Sequence, residues 1–307
     1  MNINTNFTYF GELSALLAAI FWSIAVIIFK SASNEVSPFL ITALKNTIAS
    51  FCFLVFFLLF DIPLWYDDFQ QIDYFKILIS GVLGMGLADV LFIYALSQIG
   101  ANRIALINCF EPVVIYILSS IFLGTILNIG QLIGFLVVII SLLIMTYEKD
   151  TNELDKYIKR KGILLQISAV ILSSIGIVMI KPVLLKINND INIQLWLTFF
   201  RLLPGMITAW IVLLFQKKKI RLSQPFLQLN FIIKILFSSI LGTFIALSFW
   251  IIGYANIEHP PVASILGQTS VIFIILLSWF FLKEKITKQR IVAMLFALSG
   301  LILTIYS

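Results

Sequence analysis

The sequence consists mainly of continuously apolar runs that recur along its 307 residues. Each run has about 18 to 25 residues, and a helix of that length crosses a membrane hydrocarbon layer about 30 Å thick. Membrane strands instead alternate apolar and polar residues over about ten positions, so these runs predict helices. We therefore predict an all-α polytopic membrane protein with ten transmembrane helices, at approximately 11–30, 38–60, 75–97, 102–123, 129–147, 162–181, 193–215, 232–255, 261–282 and 289–306.

The composition indicates lipid as the solvent and excludes a large aqueous domain. Hydrophobic residues make up 61% of the chain and charged residues 12%, whereas soluble domains average about 45–50% and about 25%. The longest polar stretch, 148–161, is too short to fold as a nucleotide-hydrolysing or catalytic module. ATP-driven transport by this chain alone is therefore excluded. The sequence has no metal-binding or catalytic motif, so we expect no metal site, no cofactor and no enzymatic activity.

The last five runs resemble the first five in order and in several residues. Gly11–Lys30 aligns with Gly162–Lys181, and Gly84 aligns with Gly242. Because each set contains an odd number of spans, the second set enters the membrane from the opposite side, which predicts two inverted five-helix repeats. The predicted divisions are a first repeat at 1–147, a charged connecting loop at 148–161 and a second repeat at 162–307.

Lysine and arginine are distributed unequally between the two sets of loops. Of the 21 such residues, 16 follow odd-numbered spans, three lie on the other side, and Lys45 and Arg201 lie inside spans. Because cytoplasmic loops carry an excess of these residues, the odd-numbered loops are predicted to be cytoplasmic, as in a bacterial inner (plasma) membrane, with both termini outside. The net charge of +6 then reflects orientation. The expected partners are membrane lipid and a small-molecule substrate, with no nucleic acid, for a monomer or homo-oligomer.

Several segments, spread over nearly the whole chain, form a family pattern. They are Phe21-Trp22-Ser23 with Lys30, the paired positions Lys45 and Arg201, the run GLADVLFIYALSQIGANRIALINCFEPVV from Gly86, and FFLKEKITKQRIVAMLFALSGLIL from Phe280. Together they resemble the drug/metabolite transporter superfamily, and within it the ten-helix EamA-type permeases. The resemblance implies a pseudo-symmetric bundle with a central substrate cavity, alternating access, and transport of amino acids, drugs or metabolites without ATP.

Two features depart from that family pattern. Family members often have a glutamate after both the fourth and the ninth span, and here Thr125 stands at the first position while Glu284 occupies the second. Family members also usually keep both termini in the cytoplasm, opposite to the orientation that the charge distribution predicts.

Ionisable residues inside the spans mark the expected substrate site, because a charge at mid-membrane costs several kcal/mol. Lys45, Asp89 and Glu111 are expected at roughly 10 to 14 Å depth on the same side, where they could meet. Arg201 is the inverted counterpart of Lys45. Leu247 occupies the position that corresponds to Asp89, so Arg201 has no obvious carboxylate partner.

These residues admit two interpretations. In the first, Arg201 binds a substrate carboxylate, and Glu111 or Asp89 exchanges a proton or holds an ammonium group. In the second, Lys45 and Asp89 form a permanent buried pair, and Glu111 is a protonated residue at a proline kink. Aromatic and amide side chains are further candidates for lining a substrate cavity, namely Trp22, Tyr94, Tyr116, Trp250 and Gln268.

The leading functional prediction is a secondary active transporter of a small polar metabolite, such as an amino acid, that works by alternating access. Proton coupling through Glu111 and Asp89 is a further hypothesis. The alternatives are an exporter of cationic drugs and a membrane scaffold or membrane-embedded enzyme. The mid-membrane Arg201 disfavours a cationic substrate, and inverted repeats fit a two-sided cavity better than a one-sided active site.

Overall fold

The structure is a computed structural model that describes residues 9–33, 35–66, 69–146, 155–187, 190–216, 229–282 and 288–306. These ranges are helical, with short connections and no strand. The helices are α1 Phe10–Ala32, α2 Pro38–Leu59, α3 Gln71–Ile99, α4 Ala101–Asn108, α5 Glu111–Leu123, α6 Ile129–Thr146, α7 Lys156–Leu185, α8 Ile191–Leu214, α9 Leu229–Asn256, α10 Pro260–Gly267, α11 Ser270–Leu282 and α12 Lys288–Tyr306. Among these described helices, six are long and apolar enough to cross a membrane, namely α1, α2, α3, α7, α8 and α9.

Two of the predicted continuous spans are interrupted. The fourth run divides into α4 and α5, and the ninth divides into α10 and α11. At the first break, Pro112 has no N–H to donate to the carbonyl of Asn108, and its ring crowds that carbonyl. At the second break, the hydroxyl of Thr269 donates to the carbonyl of Leu266 at 2.7 Å and competes with the helical backbone bonds. Hydrophobicity alone did not reveal these breaks because both halves of each run are apolar.

Helix α7 begins earlier than the sequence predicted. The carboxylate of Asp155 accepts hydrogen bonds from the backbone N–H groups of Tyr157 and Ile158, at 2.7 and 3.4 Å, and so caps the helix. The last six residues of the predicted connecting loop, 156–161, are therefore helical. Residues 147–154 of the region between α6 and α7, the basic segment 217–228 and the segment 283–287 with Glu284 lie outside the described residues.

Helices α3 and α9 each contain a π-helical turn, at Gly81–Leu87 and Ile240–Ile245. Such turns are rare and occur frequently at functional sites. Gly84 and Gly242, which the sequence comparison aligned, lie in these two turns. A Cβ atom on Gly242 would lie 2.5 Å from the Cβ atom of Ala25, so the glycine permits the close approach of α1 to α9.

The two parts of the chain are interleaved in the bundle. Helix α1 packs along α9, and α7 packs along α3, while α2 packs against α8. Large apolar side chains cover much of the outer surface, including Leu58 and Ile129, which are 76% and 79% exposed. Exposed apolar area of this extent is incompatible with water as the only solvent and fits contact with lipid tails.

Two lysines bind the C-terminal ends of the helices beside them. Lys181 of α7 donates to the carbonyls of Tyr254 and Ile257, at 2.7 and 2.5 Å. Lys30 of α1 donates to the carbonyl of Ser97 near the end of α3, at 3.3 Å. A cation at a helix C-terminus satisfies carbonyls that lack helical partners and interacts favourably with the helix dipole. The two aligned lysines therefore make the same kind of contact.

Helices α6 and α12 approach each other closely through glycine. A Cβ atom on Gly134 would lie 2.6 Å from the carbonyl oxygen of Gly300 and 2.8 Å from the backbone nitrogen of Thr304. The GxxxG pattern formed by Gly130 and Gly134 thus supplies a helix-packing position at Gly134.

We expect Gly134→Ala to destabilise the protein by about 1 to 3 kcal/mol, because its methyl group would meet backbone atoms of α12 that cannot move aside independently. Thermal unfolding of the detergent-purified protein measures this. Gly267→Ala is the matched control, since nothing lies within 4 Å of the Cβ atom it adds. Equal stability of G134A and the unmodified protein would contradict a tight α6–α12 contact.

Candidate functional site

A cavity of about 180 Å³ lies inside the bundle and is lined by residues of both π-helical turns. A protein cavity of about 150 Å³ can hold benzene, so this one has room for a compact small molecule. Small-molecule sites typically combine apolar walls with a few converging polar groups. The apolar lining includes Ala18, Trp22, Phe92, Leu247 and Trp250, and the charged and amide lining consists of Lys45, Asp89, Asn108, Glu111, Gln166 and Gln268.

An ion pair between α2 and α3 forms one part of the cavity wall. The Nζ atom of Lys45 lies 2.5 Å from Oδ2 of Asp89 and also donates to Oδ1 of Asn46 at 3.1 Å. The Asn46 amide in turn donates to the carbonyl of Met85, in the π-helical turn, at 2.9 Å. The Lys45 side chain is 2% exposed and that of Asp89 15%, so the carboxylate is the partner more accessible from the cavity.

A second polar contact joins the two helix breaks. The Nε2 atom of Gln268, which follows α10, donates to Oε2 of Glu111, the first residue of α5, at 2.9 Å. Beside it, the amide of Gln166 on α7 donates to the side-chain oxygen of Asn108 at 2.6 Å. Lys45, Asp89 and Glu111 all line the same cavity. Lys45 forms its ion pair with Asp89, whereas Glu111 is bound by Gln268.

Arg201 is buried just behind the cavity wall, with 1% of its surface exposed. Its Nε atom donates to the hydroxyl of Ser80 at 2.7 Å, and that hydroxyl donates to the carbonyl of Gly176 at 2.6 Å. Its guanidinium carbon lies 5.5 Å from the centre of the Trp250 ring. Within the described part of the chain, Nη1 and Nη2 have no hydrogen-bond partner. A buried cation with unsatisfied donors is costly unless an anion binds it.

The other predicted aromatic residues divide between the cavity and its surroundings. Trp22 lines the cavity and packs against Phe92, with ring centres 5.6 Å apart. Tyr94 lies elsewhere, because its ring packs against Phe39 and its hydroxyl accepts a hydrogen bond from Lys161 at 3.4 Å. Five residues turn a helix by about 140°, so Tyr94 cannot share the face of Asp89.

Tyr116 is also outside the described cavity lining. Its ring packs against Phe135 of α6, with centres 5.9 Å apart. Of the four aromatic residues expected at the cavity, the described lining thus includes Trp22 and Trp250 but not Tyr94 or Tyr116.

Sequence reasoning did not single out Asn46, Gln166 or Tyr254 as parts of the site. Asn46 completes the Lys45–Asp89 contact, while Gln166 and Tyr254 line the cavity. Asn46 and Gln166 could have been predicted from the sequence, because a polar amide within an apolar run needs a partner inside the bundle. Tyr254 could not, because a single tyrosine near a helix end is common at membrane interfaces.

A family model described as the EamA-like transporter family matches residues 9–147 and 160–306. The chain belongs to the EamA-like transporter family. Members of this family are membrane transporters of small molecules, so the chain is an integral membrane protein of that kind.

The match in two segments agrees with the two-part layout of this EamA-like transporter. A solved structure described only as "Crystal structure of protein" is similar over 95% of this chain and 95% of its own, with a TM-score of 0.76 and 16% sequence identity. At that identity the similarity establishes the fold alone. A comparison with curated proteins finds no match.

The Lys45–Asp89 pair generates a stability prediction. Lys45→Met leaves a partly buried carboxylate without its cation, and we expect a loss of about 3 kcal/mol or more in unfolding free energy. The double variant Lys45→Met with Asp89→Leu removes both charges, and we expect it to be less destabilised than Lys45→Met. Thermal unfolding in detergent tests the order. If the double variant loses at least as much unfolding free energy as the two single variants lose together, Lys45 and Asp89 are not coupled.

Proposed function

We propose that this EamA-like transporter moves a small zwitterionic metabolite, such as an amino acid, across the membrane by alternating access. The observation that carries the proposal is the buried guanidinium of Arg201, whose Nη1 and Nη2 have no partner among the described residues, behind a cavity lined by carboxylates. A zwitterion presents one group of each sign within a few ångströms. It therefore matches both kinds of charge in the site at once.

The anionic group of the substrate is assigned to Arg201. Guanidinium binds carboxylate in a bidentate manner through two parallel N–H groups, and Nη1 and Nη2 are the two nitrogens without partners among the described groups. The ring of Trp250, which lines the cavity, lies 5.5 Å from the guanidinium carbon and holds the guanidinium by a cation–π contact.

The ammonium group of the substrate is assigned to Asp89 or Glu111. Both line the cavity, and each has one carboxylate oxygen engaged by a partner, Lys45 or Gln268. The second oxygen of each carboxylate can accept hydrogen bonds from an ammonium group. Trp22 and Gln268 complete the proposed binding set by closing the cavity around the solute.

Alternating access is proposed from the paired features of the two chain parts. The π-helical turns of α3 and α9, the glycines within them, and the lysines at the ends of α1 and α7 occur at corresponding positions. These correspondences support ten spans arranged as two inverted five-helix repeats, an architecture that lets the cavity open to either side of the membrane.

The proposed membrane and orientation follow from the charge distribution. We assign the protein to a bacterial inner membrane with its odd-numbered, basic loops in the cytoplasm. The ends of α1, α3 and the start of α9 lie together on that side, where Lys30 contacts Ser97 and Lys234 pairs with Glu35. These contacts support a common face for the odd-numbered loops.

A cationic compound is the second candidate substrate. The carboxylates of Asp89 and Glu111 and the indole rings of Trp22 and Trp250 are groups that bind cations. Arg201 favours the zwitterion over this candidate, because within the described part of the chain a purely cationic substrate leaves its Nη1 and Nη2 atoms without an acceptor.

Uptake of a mixed panel into proteoliposomes, read by mass spectrometry with and without an imposed pH gradient, tests the substrate class. The panel contains neutral amino acids, their carboxyl amides and quaternary amines. We expect accumulation of amino acids and little of their amides. Arg201→Gln is expected to reduce amino acid flux at least tenfold while changing amide flux little. Selective flux of quaternary amines would instead support the cationic-compound exporter.

Glu111 generates the prediction on proton coupling. Glu111→Gln keeps the shape and the hydrogen-bonding capacity of the side chain but cannot exchange a proton. We therefore expect E111Q to lose the stimulation of flux by a pH gradient while expressing normally. Glu12→Gln is the matched control, because it makes the same change at the first turn of α1, outside the cavity lining. Gradient-independent flux in the unmodified protein would exclude proton coupling.

A further inference from the structure

The two polar atoms of the Asn108 amide are engaged differently. Asn108 is the last residue of α4, directly before the first helix break, and it is a partly exposed residue of the cavity lining. Its Oδ1 atom accepts the hydrogen bond from Nε2 of Gln166 at 2.6 Å. Within the described part of the chain, its Nδ2 atom has no hydrogen-bond partner, yet it is not one of the buried side-chain atoms that lack one. This amide donor is therefore accessible from the cavity.

Gln166 of α7 fixes the orientation of that amide. Gln166 is 2% exposed, and its Oε1 atom is the group that stays without a partner among the described residues. The opposite orientation of the two amides would instead leave an N–H group of Gln166 buried without an acceptor, and orphaned buried N–H groups are rarer in proteins than under-satisfied carbonyls. Gln166 thus holds the oxygen of Asn108, and the N–H groups of Asn108 remain for a ligand.

Glu111 places an acceptor close to this donor. Asn108 and Glu111 are three residues apart, and Cys109 and Phe110 between them keep helical dihedral angles, so the two side chains lie on the same side of the chain. Both line the cavity. Oε2 of Glu111 accepts from Gln268, which leaves Oε1 for a ligand. The first helix break therefore presents one donor and one acceptor, and a glutamine from another helix holds each of the two side chains.

We infer that Asn108 is a specificity-determining residue, which donates a hydrogen bond to a carbonyl or carboxylate oxygen of the solute beside the ammonium group that Glu111 binds. The inference rests on the proposed function and deepens it, because it assigns the ammonium group to Glu111 rather than to Asp89. In an α-amino acid the ammonium nitrogen and the carboxyl carbon are bonded to one carbon atom, which matches a donor and an acceptor one helical turn apart.

The contact separates solutes by their carbonyl group. A carboxylate has lone pairs for several donors, so the hydrogen bond from Asn108 adds to the contact proposed for Arg201. An amine that has no carbonyl group covers the amide of Asn108 without giving it an acceptor, and a donor that loses water without gaining a partner costs binding free energy. The site therefore selects amines that carry a carbonyl oxygen on the neighbouring carbon.

Thermal unfolding of the purified, detergent-solubilised protein with alanine, alaninamide and isopropylamine tests the inference. Alaninamide keeps the carbonyl group of alanine without its negative charge, and isopropylamine has a methyl group in place of the carboxylate. A ligand that binds the folded protein raises its unfolding midpoint in a saturable manner. We expect alanine to bind most tightly, and alaninamide to bind about tenfold more tightly than isopropylamine, as one hydrogen bond allows.

Asn108→Asp removes the donor and little else. The introduced carboxylate keeps the shape of the side chain and an acceptor for Gln166, and when ionised it has no hydrogen to donate, so binding is measured at about pH 8. We expect N108D to lose the preference for alaninamide over isopropylamine. Because these two probes carry the same positive charge, the added negative charge attracts both alike and does not alter their ratio.

Gln166→Glu tests the same donor through a different atom and decides the matter if N108D does not fold. A glutamate cannot donate to the oxygen of Asn108, so the Asn108 amide turns to donate to the glutamate, and its N–H group is no longer offered to the cavity. We expect the same loss of preference. Gln131→Glu is the matched control on α6, outside the cavity lining, where Oε1 accepts from the backbone N–H of Asn128 at 3.1 Å and a glutamate can do the same. We expect Q131E to respond as the unmodified protein does.

The outcomes distinguish this inference from the proposed function. If N108D and Q166E keep the preference for alaninamide over isopropylamine, Asn108 is not the donor, whatever binds the carboxylate. Arg201→Gln is expected to lose the preference for alanine over alaninamide and to keep that for alaninamide over isopropylamine, so it tests the proposed function alone. If none of the three probes raises the midpoint of the unmodified protein, the role of Asn108 and the assignment of a zwitterionic substrate are both wrong.

Discussion

The interior of a membrane supplies no water to buried polar groups, and this constraint organises the bundle. The ammonium group of Lys45 is bound by Asp89 and Asn46, and that of Lys181 donates to two backbone carbonyls at the end of α9. Lys45 thereby joins the consecutive helices α2 and α3, and Lys181 joins α7 to α9. Arg201 has only its Nε atom satisfied among the described groups, by Ser80. Its Nη1 and Nη2 atoms lie beside the cavity, where the carboxylate of the proposed substrate would accept their hydrogen bonds.

The cavity coincides with the places where helical geometry is disturbed. The π-helical turns of α3 and α9 contribute to its wall, as do Glu111 and Gln268, which adjoin the breaks between α4 and α5 and between α10 and α11. Irregular backbone within a membrane occurs where protein or a polar cavity surrounds it, since lipid cannot satisfy freed backbone groups. A regular bundle would place side chains in this space. The disturbed segments therefore form part of the wall of the cavity.

The buried charges differ in how far their contacts within the protein satisfy them. Lys45 is nearly inaccessible and contacts both Asp89 and Asn46, as expected for a structural pair, whereas Asp89 retains exposure to the cavity. Arg201 is held by Ser80 and Trp250 yet keeps two free nitrogens among the described contacts. Fixing a cation without neutralising it preorganises a binding site, because a ligand then gains an ionic contact without having to order the side chain.

The sequence by itself determined the membrane environment, the helical class, the family and most of the charged residues at the cavity, because hydrophobic length and rare intramembrane charges are local properties of the chain. Of the side chains expected at the cavity, Trp22, Trp250 and Gln268 line it in the structure, whereas Tyr94 and Tyr116 are not in its described lining, and the expected set did not include Asn46. Only the tertiary structure decided that Glu111 accepts a hydrogen bond from Gln268 and that Arg201 lies beside the Trp250 ring, behind the cavity wall. These outcomes depend on how helices from opposite ends of the chain pack together, and hydrophobicity does not specify which faces meet.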